Sequence, residues 1–252
     1  MLDSGRLDGP EQMALDAGLL DRARATGEAV LRVYGWSRPT LSFGRHEVAR
    51  ARFACAAIER ANIGVVRRPT GGRVLLHDRE VTYSVTAPAP DGESVGPSYR
   101  RINALLLDAL ACLGVRAAAT PAGRARRTPG AGLVSCFAEP SAGELVVDGR
   151  KLVGSAQLRE RGALLQHGSI LVDDDQGRIV EFAAGPLAPA PPAATLRAVL
   201  GRAPSYAEVR EALVAALAAR EGEAATLDAA EADHFAAPHR ARYGSAGWTW
   251  RR

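Results

Sequence analysis

Apolar positions recur at helical spacing from about Pro10 to Ala25, where Met13, Ala14, Ala17 and Leu20 share one face and proline suits the first position. "AVLRVYGW" and "TLSFG" then read as two strands around the break Ser37-Arg38-Pro39. A single helix is expected from about Glu47 to Ala61, holding Cys55 beside Ala54 and Ile58 as small core filler. Val65-Val66 makes a short strand, "RRPTGGR" a loop, and "RVLLH" and "EVTYSVT" alternate as a pair of strands. "SYRRINALLLDALACLG" predicts a helix stopped at Gly114, with Cys112 on its apolar side. The loop "AAATPAGRARRTPGAG" has no period.

From Gly143 to Asp173 the period changes to two. "ELVVDGRKLV" is a strong hairpin signal, an Asp-Gly turn between apolar strands. "LRERGALLQHGSILV" extends it as a further strand pair. Counting outward from Asp148-Gly149 pairs Val147 with Arg150, Val146 with Lys151 and Leu145 with Leu152. Alternation then puts Leu145, Val147 and Leu152 on the core face, and Lys151 on the other with Val146, Val153 and Ser155. "GPLAPAPPAAT" is a proline-rich connector, followed by two helical stretches, "SYAEVREALVAALAARE" and "DAAEADHFAAPHRARY". The expectation is a single catalytic domain over 1–252, with an α/β core at 10–185 and a helical extension at 195–252.

Composition adds one sharp fact. The chain has 252 residues and 32 lysines and arginines, and Lys151 is the sole lysine, leaving 31 arginines. Two readings of Lys151 stay open from the pattern: a functional ammonium on a rigid strand, or an ion pair with Glu144, diagonally across on the same face. Arginine would serve that ion pair equally well, whereas a compact ammonium makes a closer point charge on a thiolate or acyl oxygen. The net charge of +4 suits an acidic protein partner. No like-charge block and no aromatic-basic interleaving occurs, which disfavours nucleic acid. The acid-bearing N-terminus argues against a signal peptide, and no apolar run is long enough for a membrane span. Cys55, Cys112 and Cys136 lack zinc spacing, so no metal is expected and the thiols are expected free in a reducing cytoplasm.

"PTLSFGRHE", "RRPTGGRVLLHD", "ELVVDGRKLVGSAQ" and "LLQHGSI", in order from about Gln12 to Asp173, together resemble the lipoate–protein ligase and octanoyltransferase family. The tail ending in "YGSAGWTW" is similar to its octanoyltransferase branch. The resemblance implies an α+β fold of the biotin/lipoate protein ligase kind, like that of class II aminoacyl-tRNA synthetases: a mixed, largely antiparallel sheet flanked by helices, with a short helical C-terminal extension. It implies attachment of an octanoyl or lipoyl chain to a lysine of a lipoyl domain or of the glycine cleavage H protein. By the same resemblance, substrate-binding positions are Arg67, Arg68, Thr70, Gly71, Gly72 and Arg73 of the loop. To these it adds His77, then Ser42, Gly44 and Arg45, then Val153, Gly154, Ser155 and His167. Lys151 contacts the acyl carbonyl region.

Within the family, transferases take octanoate from acyl carrier protein through a cysteine thioester, and ligases use ATP and magnesium on the free acid. Cys136, fifteen residues before Lys151, matches the branch's nucleophile. It is expected on a loop where a nearby ammonium lowers the thiol pKa. Arg73 replaces the third glycine of the ligases, and the chain is short for a ligase with its added C-terminal domain. The expected enzyme is thus an octanoyltransferase without a cofactor. "PTLSFG", "RVLLH" and Val153 are candidate walls of the acyl tunnel. His167 reads either as a group that positions water or moves a proton, or as a sheet histidine satisfied by backbone. Alternatives are an ATP-dependent ligase, a lipoyl amidotransferase between H protein and other lipoyl domains, and a non-catalytic binding module.

Overall fold

The structure, a computed structural model, describes residues 1–89, 92, 94–121, 143–186 and 190–251. Cys136 and most of the arginine-bearing loop before it lie outside the described residues. The chain opens with β1 (Leu2–Leu7), α1 (Gly9–Thr26), β2 (Val30–Trp36), β3 (Thr40–Phe43), α2 (Ala49–Arg52) and α3 (Cys55–Arg60). It continues with β4 (Gly64–Arg67), β5 (Leu75–His77), β6 (Glu80–Pro88), α4 (Val95–Cys112) and β7 (Ala118–Ala119). β8 (Leu145–Val147), β9 (Arg150–Glu160) and β10 (Ala163–Leu171) lead to a 3-10 helix, Gln176–Phe182. Four helices follow: α5 (Leu196–Leu200), α6 (Tyr206–Glu221), α7 (Ala229–Tyr243) and α8 (Ala246–Thr249).

Among the described residues the strands form a large sheet in the order β1-β2-β6-β10-β9-β8-β7 and a small one in the order β4-β3-β5. Pairing is antiparallel except for β1 with β2 and β3 with β4. This is the mixed, largely antiparallel α+β architecture expected. α4 and α6 cover one face of the large sheet: Leu106 and Leu110 of α4 and Leu213 of α6 share a core with Val33, Tyr83 and Ile170. α1 lies on the opposite face and is itself covered by α7. Asp8 caps α1 by accepting the Glu11 N–H, Pro10 opens it, and Gly27 closes it at φ 74°. A Cβ on Gly18 would sit 2.6 Å from the backbone of Phe235, so glycine sets the α1–α7 approach. No helix among the described residues is long and apolar enough to cross a membrane.

Four expectations need correction. The helix drawn over 47–61 is two short ones, because Phe53 turns into the core and bridges Ala183 while Ala54 N–H bonds Phe182 O. Cys55 is exposed, since only Ile58 of α3 is buried, and Cys112 is exposed on the last turn of α4, outside its Ile102–Leu106–Leu110 stripe. β5 and β6 do not pair with each other: β5 joins β3 in the small sheet, and β6 lies between β2 and β10 in the large one. β1 carried no recognised signal; it is a parallel edge strand.

The fourth correction concerns the lysine hairpin. Its turn is as expected, with Asp148 at φ 49° and Gly149 at φ 74°, and Val147–Arg150 and Val146–Lys151 pair as counted. Leu145 then pairs with Val153, not Leu152, so β9 bulges by one residue. The bulge sends both Leu152 and Val153 into the core under α4 with Leu145 and Val147. Alternation resumes beyond it, so Lys151 faces away from that core while Ser155 faces it. Lys151 and Ser155 therefore do not share a face.

A buried polar network joins α1 to the sheet. Asp16 has no exposed surface; it accepts from Arg32 at 2.7 Å, Ser84 Oγ at 2.8 Å and Tyr34 OH at 3.1 Å, and it pairs with His167 Nδ1 at 2.8 Å. Burial alone would raise its carboxyl pKa, but Arg32 and His167 outweigh burial and hold it below the usual value. His77 is shifted in the opposite sense to a paired histidine: burial is the largest cause, and its pKa is lowered despite Glu80. The unfolded chain binds a proton at His77 before the native state does, so stability falls as pH drops below about 6.5. The Asp16 contribution is present above about pH 3.9 and is lost below it. Denaturant unfolding at pH 7.5, 5.5 and 3.5 should show two successive losses. His77→Gln should remove the first, and equal stability at pH 7.5 and 5.5 in the native protein would contradict it.

Candidate active site

The loop after β4 is shaped by close backbone approach. A Cβ on Gly44 would sit 1.8 Å from Gly72 O, so only glycine permits the Gly44 turn to lie against the Gly71-Gly72 edge. Arg45 N–H bonds Thr70 O at 2.8 Å, and Arg68 N–H bonds Phe43 O at 3.0 Å. Gly72, at φ 94°, is exposed, whereas Arg67, Arg68 and Thr70 behind it are buried. The loop thus has a wet glycine edge and a dry arginine base.

The two arginines act as braces. Arg67 Nη1 donates to Gly44 O and Glu47 O, each at 2.8 Å, and Arg67 Nε donates to Thr249 O at 3.0 Å. Trp248 Nε1 in turn donates to Arg67 O at 2.9 Å. Arg68 donates to Ser42 O at 2.8 Å, to Gly71 O at 3.0 Å and to Arg73 O at 2.6 Å. Five donors in a fixed fork satisfy several loop carbonyls at once, which a lysine could not do.

Two histidines mark the junction of loop and sheet. His167 Nε2 lies 2.6 Å from Thr70 Oγ1, and its Nδ1 faces Asp16. A carboxylate accepts only, so Nδ1 carries a proton toward Asp16, while Nε2 shares a hydrogen bond with the Thr70 hydroxyl. His167 is therefore satisfied by side chains, not by backbone groups. His77 stacks on Trp36 with ring centroids 4.0 Å apart, bonds Ser42 Oγ through Nε2 at 2.9 Å and meets Glu80 through Nδ1 at 3.2 Å. Arg68 Nη1 also donates to Ser42 Oγ, at 3.0 Å, which leaves the Ser42 proton for His77 Nε2.

Lys151 is buried and pairs with Glu144 at 2.5 Å, with Glu144 also buried. The pairing anticipated at the surface is an interior one. Ala194 N–H bonds Lys151 O, and the neighbouring Ala193 packs with Leu75 and Leu171 on the side away from α4. Val153 is a core residue under α4. Ser155 bonds Tyr83 OH through Oγ at 2.6 Å, and its carbonyl accepts from Tyr99 OH at 3.3 Å. Burial raises Tyr83 to about 12 and pushes Tyr99 up as well, so both phenols keep their protons. Gly154 O lies where a Cβ on Gly168 would fall, 2.4 Å away.

The structure thus gathers Ser42, Gly44, Arg45, Arg67, Arg68, Thr70, Gly71, Gly72, Arg73, His77 and His167 around one loop, and sets Lys151 in the β8–β9 hairpin, where it pairs with Glu144. Residues the sequence reading passed over hold them there: Asp16, Arg32, Trp36, Glu80 and Trp248. Among the described residues, no group of three or more His, Cys, Asp or Glu could hold a metal ion.

The chain has known relatives. Residues 8–218 match the family described as the lipoyl protein ligase A/B catalytic domain. An octanoyltransferase LipM from Symbiobacterium thermophilum is 38% identical over 100% of this chain and 98% of its own length. The LipM of Kyrpidia tusciae is 45% identical over 69% of this chain and 66% of its own, and that of Bacillus subtilis 40% over 72% and 68%. In three dimensions the chain resembles a lipoate-protein ligase A bound with ATP, with a TM-score of 0.78, 19% identity and coverage of 99% and 96%. A bipartite ligase from Thermoplasma acidophilum, described together with its E2 lipoyl domain, gives a TM-score of 0.74 at 19% identity, with coverage of 99% and 95%. The solved structures speak for the fold; the sequence relatives, at twice the identity, separate transfer from ligation. The chain belongs to the lipoyl protein ligase A/B catalytic domain family, as an acyltransferase of its octanoyltransferase branch that serves lipoate assembly.

Proposed function

We propose that the enzyme moves an octanoyl chain from acyl carrier protein to a lysine of a lipoyl domain through a thioester on Cys136. One catalytic domain does this, with no cofactor. The observation that carries the reading is Lys151: the only lysine, buried on a hairpin that starts nine residues after Cys136. The fold relative described with its E2 lipoyl domain supports an acceptor of that kind.

In the first step the Cys136 sulfur attacks the acyl carbonyl. Its S–C bond forms as the carrier's S–C bond breaks, and the thiol proton passes to the released carrier thiol. In the second, the acceptor's neutral ε-amine attacks the Cys136 thioester. The N–C bond forms, the S–C bond breaks, and the amine proton ends on Cys136. Lys151 supplies positive charge for the oxyanion of both steps. Arg67, Arg68 and Arg73 hold the loop, and Thr70, Gly71 and Gly72 present it to the chain. Ser42, Gly44 and Arg45 support its inner edge, with His77 and His167 behind. Gly154 leaves room beside Lys151, and Val153 and Ser155 act from the far face of β9 by fixing the strand. The apolar contact of Leu75, Leu171 and Ala193 offers a wall for the acyl chain, where each buried methylene contributes about 0.8 kcal/mol.

Because Cys55 and Cys112 are exposed, thiol labelling does not single out Cys136. Transfer does. Cys136→Ala should abolish octanoyl transfer to a lipoyl domain, while Cys55→Ala and Cys112→Ala should retain it. Full activity of Cys136→Ala with ATP and free octanoate would replace the thioester route with ligation. Lys151 needs a gentler change, since breaking a buried pair costs about 3–5 kcal/mol. Lys151→Arg retains the charge, and we expect it to lower kcat at least about tenfold, because a planar guanidinium cannot occupy the ammonium's position. Equal kcat for the two folded proteins would show that the lysine is incidental.

A further inference from the structure

The C-terminal segment places exposed arginines beside the glycine edge of the site. Trp248 lies between two guanidinium groups, Arg242 at 3.7 Å and Arg251 at 4.1 Å from its ring centroid. Arg251 donates to Arg45 O at 2.6 Å, and Arg50 donates to Trp250 O at 3.3 Å. Arg50, Arg242 and Arg251 are exposed and Arg45 is half-buried. Arg45, Arg50 and Arg242 make no ion pair with the described residues, whereas the acids nearby are already used: Glu47 by Arg52, and Glu11 and Asp233 by Arg240. Val48, 42% exposed, stands one residue before α2 among these cations. Trp248 and Thr249 then fasten the patch to Arg67, at the base of the loop.

We propose that this patch, Arg45, Arg50, Arg242 and Arg251 around Val48, is the docking surface for the acyl acceptor, an acidic protein domain presenting an exposed lysine. The inference rests on the transferase reading. Three points lead to it. Clustered guanidinium groups, of which Arg45, Arg50 and Arg242 make no ion pair with the described residues, create a positive field that selects an acidic partner and steers its approach. The patch adjoins the exposed Gly72 edge through Arg45, so a partner seated there reaches the site with a short arm. A lysine side chain is such an arm, and its owner must dock against the mouth itself; a carrier protein's longer prosthetic arm carries no such requirement. The stacking on Trp248 also fixes the two C-terminal guanidinium groups, which lowers the ordering cost of binding.

The two half-reactions separate the outcomes. Octanoylation of the enzyme by octanoyl-acyl carrier protein is followed by intact mass, and transfer from the isolated acyl-enzyme to a lipoyl domain is followed by single-turnover mixing. Arg50→Glu with Arg242→Glu should raise the half-saturating lipoyl-domain concentration by about tenfold, with the maximal rate kept, and steepen no salt dependence. Arg50→Lys with Arg242→Lys preserves charge and should restore wild-type saturation, which a purely structural role would not predict. Acylation by octanoyl-acyl carrier protein should stay within about twofold. Weakened acylation with intact transfer would assign the patch to the donor and overturn the proposal, as would unchanged saturation in the charge-reversed variant. Failure of the native protein to form any acyl-enzyme would instead remove the transferase reading beneath it.

Discussion

Asp16 is a carboxylate without water, and much of the site depends on how its charge is met. Arg32 neutralises it, Tyr34 and Ser84 fill its remaining acceptor sites, and His167 carries its influence to Thr70 in the glycine loop. α1, the central strands and the loop are thereby tied at one point. A buried charge must be paired and hydrogen-bonded or it costs several kcal/mol, so this network has little freedom to rearrange. Its consequence is a His167 whose Nδ1 proton is fixed toward Asp16 and a Thr70 held at the base of the glycine edge.

The lysine hairpin obeys the same rule by other means. Arginine would fill the Glu144 contact at a surface, but the pair is interior, and a bulge of one residue turns the side chain to the face opposite α4. Leu152 and Val153 sharing the core is the counterpart of that turn. Burial alone does not select a lysine, since Arg32 and Arg67 are fully buried in the same protein; what distinguishes the ammonium is that it is a compact point charge.

Local pattern carried most of the elements. Proline and the apolar spacing placed α1, and Asp-Gly set the hairpin turn. What the pattern missed was tertiary. Phe53 breaks a helical stretch because a bridge to Ala183 draws it inward, and β5 leaves β6 because the small sheet offers it a partner. The bulge was invisible to simple alternation, since one extra residue has no sequence mark of its own. Two signals did exist and were passed over: Asp16 on the apolar face of α1, and Arg32 inside an apolar strand. Each announced a buried charge in need of a partner. The motif positions around the glycine loop were legible only through family resemblance; no spacing rule connects Ser42 to His77 or Thr70 to His167. The exposure of Cys55 and Cys112 follows from helix phase at frayed or one-turn helices, where a short stripe leaves little to count.

The central claim is that a protein-bound thioester links donor and acceptor, and intact-protein mass spectrometry tests it most directly. Mixed with octanoyl-acyl carrier protein and no ATP, the enzyme should gain a single octanoyl group. Hydroxylamine should remove it, and peptide mapping should place it on Cys136. A protein that stays at its unmodified mass while the acceptor becomes octanoylated would contradict the account.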